Sequence, residues 1–182
     1  MAGIDGALAM NGIELVILAD NKSVGQRPPD RRAGLIALWQ QYWNDGTPSP
    51  AVEMSLELAT QGNRDEIELG FCVLIGLALA DESLCCHLSQ LAKHKAATVR
   101  RKLAYYISKE FPTEFRMTVF TELLRDKAAS VRIGAIEKIG MCDCKAMLPE
   151  LHALRSRERS DKVIQSLSCW IPLLEDGYQV LP

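Results

Sequence analysis

Apolar positions recur along this chain at a fixed distance. Val99, Val131 and Val163 stand 32 residues apart, with Ile67 another 32 before them. Four residues on, the column reads Phe71, Leu103, Ala135, Leu167; eight residues on, it reads Ile75, Ile107, Ile139, Ile171. Positions four and eight along a helix share one face, so these columns mark the buried stripe of a helix. Eleven residues upstream of the valines a second set reads Leu56, Leu88, Phe120, His152, preceded by four residues by Val52, Leu84, Arg116, Leu148. Each 32-residue unit therefore holds two helices, and the columns align without a gap over about 125 residues. One helix pair cannot bury its own apolar face, so units of this kind stack on their neighbours. The expected fold is all-α, a right-handed α-solenoid of about four to five stacked antiparallel helix pairs.

Punctuation residues divide the chain in the same way. Asp30 is placed to cap a helix to about Trp43, with Leu35, Leu38, Trp39, Tyr42 and Trp43 at helical spacing. Gly46, Pro48 and Pro50 end it, and a second helix runs from Pro50 to Gln61. Asp65 and Glu66 open a third, to about Ala80, apolar nearly all round and so expected to be central. Further helices are predicted from Glu82 to Lys93 (capped by Asp81), Ala97 to about Lys109, Pro112 to Arg125, Ser130 to Ile139 with a stop at Gly140, Lys145 to Ser156, and Asp161 to about Leu174, where Pro172 is expected to bend or shorten the helix. Residues 1–29 form an irregular segment; within it Glu14 to Leu18 suits a helix or an extended strand equally. Residues 30–182 then form one domain, with helix 30–43 as an N-terminal cap, four pairs over about 50–174, and a loop from Asp176 to the end.

The turns carry a second pattern. In Leu123 to Ala135, LLRDKAASVRIGA, Asp126 sits in the turn and Val131-Arg132 opens the next helix. In Leu91 to Ala104, His94 replaces the aspartate and Arg100 keeps its place. In Leu154 to Leu167, Glu158 takes the acid position and Ile164 the arginine position; in Thr60 to Phe71 these are Gly62 and Glu68. This arrangement resembles the HEAT family of armadillo-type helical repeats, over roughly residues 50–174. The resemblance implies that Asp126, Arg100 and Arg132 form a structural ladder tying neighbouring turns together.

Composition is globular, with 48% apolar and 24% charged residues. A net charge of −2 conceals an asymmetry: residues 1–90 carry 5 Lys+Arg and 12 Asp+Glu, residues 91–182 carry 16 and 11. The basic half suits an acidic partner or phosphates, and ordinary solvated helix faces also fit the pattern. The first 20 residues lack a basic n-region and contain Asp5 and Glu14, and the longest apolar run, Leu69 to Ala80, is too short for a bilayer. Cytoplasmic localisation without membrane association is expected, with the six cysteines reduced.

Catalytic signatures are not visible. Cys142-x-Cys144 and Cys85-Cys86 lack zinc-ligand spacing, and adjacent residues in a helix point about 100° apart. His87, His94 and His152 fall in three different helix pairs, and no nucleophile elbow, His-Glu-x-x-His or phosphate loop occurs. The expectation is a non-enzymatic chain needing no cofactor or metal. What remains is surface. On the second helix of each pair, positions two, three, six and ten after the valine turn away from the core. In the first basic repeat they are Arg101, Lys102, Tyr105 and Lys109, flanked in later repeats by Lys138 and Trp170. A basic and aromatic patch there fits a partner protein, one with acidic character in particular, and also fits plain solvated surface. The function expected is a protein-interaction module, an adaptor or an inhibitor of the immunity type, with nucleic-acid binding (in the manner of HEAT-like DNA glycosylases) as the alternative.

Overall fold

A computed structural model describes residues 31–46 and 48–176. Its α-helices are α1 Arg31–Asp45, α2 Ser49–Gln61, α3 Arg64–Ala80, α4 Cys85–Leu91, α5 Ala97–Tyr106, α6 Thr113–Leu124, α7 Ala129–Met141, α8 Leu148–Arg157 and α9 Asp161–Asp176. Single 3-10 turns, Glu82–Leu84 and Lys145–Met147, lead into α4 and α8. Among the described residues there is no strand, so this part of the chain is all-α, and no helix there is long and apolar enough to cross a membrane. Asp30, the segment 1–29 and the tail beyond Asp176 lie outside the described residues. The stretch expected as one domain falls into two compact units, the first ending at Cys85 and the second beginning at Cys86.

The first unit is a helical hairpin with a third helix laid on it. Gly46, with φ of 72°, stops α1 in the left-handed region, and its amide donates to Tyr42 O at 2.8 Å. Leu35 and Trp39 are the buried side of α1. α2 and α3 approach closely because Gly70 has no side chain: a Cβ there would lie 2.6 Å from the Ala59 amide and 2.7 Å from Ser55 O. Ser55 is fully buried, its hydroxyl donating to Ala51 O at 2.6 Å, so no polar group is stranded at that contact. α3 is buried on most sides through Leu69, Phe71, Val73, Leu74, Leu77 and Ala78, in keeping with its all-round apolar sequence.

In the second unit α7 packs between α5 and α9, while α6 and α8 pack against each other and each against the helix that follows it. The valines lie inward: Val99, Val131 and Val163 are buried, as are Leu103, Ala135 and Leu167 four residues on, and Ile107, Ile139 and Ile171 eight residues on. His152 and Arg116, which occupy otherwise apolar columns, are exposed and half-buried respectively.

Three boundaries differ from expectation, each for a local reason. α5 ends at Tyr106 rather than near Lys109; Ile107 turns extended (ψ of 120°) yet stays buried, and its carbonyl accepts the Cys142 thiol at 3.7 Å. α7 does not stop at Gly140 but runs to Met141, and the left-handed residue is Asp143, with φ of 48°. Gly140 is required for space, since a Cβ there would fall 2.0 Å from Trp170 Cε3. α9 continues through Pro172 to Asp176. The amide that proline lacks would have bonded Ser168 O, and both residues are exposed, so water can replace the bond.

Candidate functional site

Two groups of side chains on the second unit distinguish it: a pair of buried ionic rungs at the turns, and an exposed face on α5, α7 and α9. The rungs repeat atom for atom. Arg100 Nη1 donates to the carbonyls of His94 (2.5 Å) and Lys95 (3.0 Å), while Nε and Nη2 grip the Asp126 carboxylate, Nη2 to Oδ1 at 2.9 Å. Thirty-two residues on, Arg132 Nη1 donates to the carbonyls of Asp126 (2.7 Å) and Lys127 (3.2 Å). Its Nε and Nη2 donate to the Glu158 carboxylate at 2.7 and 2.8 Å. Each acid also accepts the amide two residues ahead, Ala128 at 2.8 Å and Ser160 at 3.0 Å; at the first turn His94 Nδ1 accepts from Ala96 at 3.2 Å in the same position. One side chain thus holds the turn that leads into the next helix and receives the arginine of the repeat before.

Electrostatics follow from this geometry. Burial works to raise the Asp126 carboxyl, but the hydrogen bonds from Arg100 and the Ala128 amide, with the charges of Arg100 and Arg132, hold it below its ordinary value. Glu158 is lowered in the same way, burial opposed by Arg132 and by the amides of Ser160 and Arg159. The hydrogen bond to Asp126 raises the Arg100 guanidinium against the opposing effect of burial. The Arg100–Asp126 pair is nearly closed to solvent, with side-chain exposures of 8% and 6%, while Arg132 keeps 14%. Asp126, Arg100 and Arg132 therefore sit in contacts that join neighbouring turns.

The face is built from what does not repeat. Tyr105 is 67% exposed, and Lys138 Nζ lies over its ring, 5.5 Å from the centroid. Tyr106 meets Tyr105 edge-on with centroids 5.9 Å apart. Glu110 lies beside them: the Ser108 hydroxyl and its own amide lower its carboxyl, burial opposes this, and Lys109 and Lys138 add to the lowering. Arg101 is exposed, and its stem crosses α7 at Gly134, where a Cβ would lie 3.3 Å from Arg101 Cγ. Lys102 is half-buried and has contacts of its own; Lys109 is exposed. Trp170 sits half-buried on Gly140, two residues along α7 from Lys138.

Six positions were candidates for the face, and the structure joins Tyr105 to Lys138, with Lys109 and Lys138 both beside Glu110. It adds two residues that charge did not single out, Met141 at 59% and Leu173 at 40% exposure. Both follow their repeat's valine by ten residues, as Lys109 does, so the register marks them even though charge does not. Among the described residues no group of three or more metal-ligating side chains occurs, and burial raises the thiols of Cys142 and Cys144. Compared with protein-family models, with curated proteins and with solved structures, the chain matches none.

Proposed function

We propose that this chain is a HEAT-like α-solenoid that binds another protein without catalysing a reaction, using the exposed face of its second helices. Two features support the solenoid reading: the gapless 32-residue register, and the repetition of each rung at that interval with the same atoms in the same roles. The observation that carries the binding reading is the line of exposed large side chains on three successive second helices, Tyr105 on α5, Met141 on α7 and Leu173 on α9. Isolated exposed apolar residues need no explanation; one on each of three successive second helices, at outward register positions six or ten after the valine and with Arg101, Lys138 and Trp170 on the same helices, suits an interface core with a polar rim. A protein that docks there serves the chain as the target of an adaptor or inhibitor working in the cytoplasm. Capture from an extract of cells that make the protein, with the full chain as bait, tests the face. Arg101→Glu with Tyr105→Ala is expected to weaken capture by about thirtyfold, the size of one interface hot spot, with helicity unchanged. Undiminished capture removes the face from the proposal. The second reading, nucleic-acid binding, is favoured by the excess of 16 Lys+Arg over 11 Asp+Glu in residues 91–182. It requires binding to duplex DNA that falls steeply with salt, and no binding at low salt eliminates it.

A further inference from the structure

The rungs have a second consequence. The acid column holds His94, Asp126 and Glu158 in the three turns of the second unit, and the residues on either side are basic every time: Lys93 and Lys95, Arg125 and Lys127, Arg157 and Arg159. All six are exposed. None takes part through its side chain in the ion pairs of the turns, which join Arg100 to Asp126 and Arg132 to Glu158. Because Arg100 links the first turn to the second, and Arg132 the second to the third, the six cations are held as one row. They also account for the basic character of this half. Without them, residues 91–182 carry 10 Lys+Arg against 11 Asp+Glu.

Local helix stability explains only half of the row. Lys93, Arg125 and Arg157 follow or end a first helix, where a cation suits the negative end of the dipole. Lys95, Lys127 and Arg159 stand just before the N-termini of α5, α7 and α9, where a cation is opposed by the dipole. That position is basic three times out of three, against the preference of the helix it precedes. Between the second and third turns the surface opens into a cleft of about 480 Å³. Arg125, Arg157 and Arg159 line it together with Asp126, Arg132 and Glu158 of the rungs, four guanidinium groups to two carboxylates, and Leu124 and Leu154 contribute apolar surface. Guanidinium groups in this setting grip carboxylates in pairs, and the leucines suit a side chain with methylenes below its charge.

We infer that the turn edge of the second unit is a docking surface for an extended acidic polypeptide segment, separate from the α5–α7–α9 face. Charge complementarity selects an acidic partner. A peptide is favoured over a nucleic acid because the turn sequences KHKAAT, RDKAAS and RERSDK offer no exposed aromatic ring on which a base could stack, and because the cleft has apolar surface. The row is preformed, since the carbonyls of Lys95 and Lys127 are themselves held by Arg100 and Arg132 at 3.0 and 3.2 Å.

The test is fluorescence anisotropy of the full chain with a labelled peptide of alternating Glu and Leu. Single-stranded and duplex oligonucleotides of equal charge run alongside. Lys127→Glu with Arg159→Glu is expected to weaken peptide binding by about tenfold or more, and the glutamine pair at the same positions by less. Arg64→Glu with Lys145→Glu, the same change in net charge placed elsewhere, is expected to alter it by no more than about twofold. Raising salt from about 50 to about 200 mM is expected to weaken it severalfold. The acidic pair stands at dipole-favoured positions, so folding is retained, which circular dichroism checks; the glutamine pair reports on the site should it not be. Absence of peptide binding at low salt overturns the inference, as do equal losses in the two charge-reversed proteins. Tighter binding of either oligonucleotide overturns the choice of partner.

Discussion

At the α2–α3 turn of the first unit, a capping box holds the start of α3. Asn63 Oδ1 accepts the amides of Asp65 and Glu66, both at 3.1 Å, and the Glu66 carboxylate returns to the Asn63 amide at 2.7 Å. At the α6–α7 turn of the second unit, Asp126 accepts the amide of Ala128, the residue before α7, and also takes the guanidinium of Arg100, 26 residues earlier. A capping box makes one helix start reliable. A turn acid that also receives a neighbour's arginine makes two turns depend on each other. The two solutions use nearly the same position in the register, and both columns of the rung are changed in the first unit: Gly62 stands where His94, Asp126 and Glu158 stand in later repeats, and Glu68 where Arg100 and Arg132 stand.

Breaking a rung should have the largest effect. Asp126→Ala leaves Arg100 buried without its partner, and a loss of about 3–5 kcal/mol is expected in urea unfolding. Replacing both members by apolar residues, Arg100→Met with Asp126→Leu, should recover most of it, because the cost lies in the stranded charge. If the single and double variants lose equally, the rung is not the cause. Acid comes next. Asp126 and Glu158 are held below their ordinary values, so their contribution is complete above the unfolded-chain values of about 3.9 and 4.3 and is lost as pH falls through the lower folded values. Amide exchange in α5 to α9 should therefore accelerate below about pH 4. An Arg100→Met, Arg132→Met protein, whose carboxyls are no longer lowered by those arginines, should show a flatter dependence. Smallest is the first unit's cap: Asn63→Ala should cost about 1 kcal/mol and raise exchange locally at the start of α3. A loss there as large as at Asp126 would erase the contrast between the two kinds of turn.

Much of the fold is legible in residue order. In the second unit the three second-helix columns beginning with the valines fall on buried positions because burial on one helix face requires periodic apolar residues, whereas Leu56, Ile67 and Ile75 of the first unit are half-buried. Glu158 in the acid column was legible for the same reason. Gly140 was not, since a glycine near a helix end reads as a stop; only the ring of Trp170, 30 residues on, shows that the missing Cβ makes room for packing. The end of α5 at Tyr106 was equally hidden, because Ile107 keeps its buried place while leaving the helix. At the candidate face, the register marks Tyr105, Met141 and Leu173 as outward, but their exposure depends on how the neighbouring helices cover them.

Residue order alone settles the helices, their period and the inward stripe, because these depend on backbone geometry and apolar spacing within a few turns. Tertiary packing decides which charges are consumed and which remain. Arg100 and Asp126 are as polar in sequence as Lys127 or Arg159, yet the first two close on each other across 26 residues while the others face water. That partition is a matter of pair geometry and desolvation, quantities that exist only once distant segments meet.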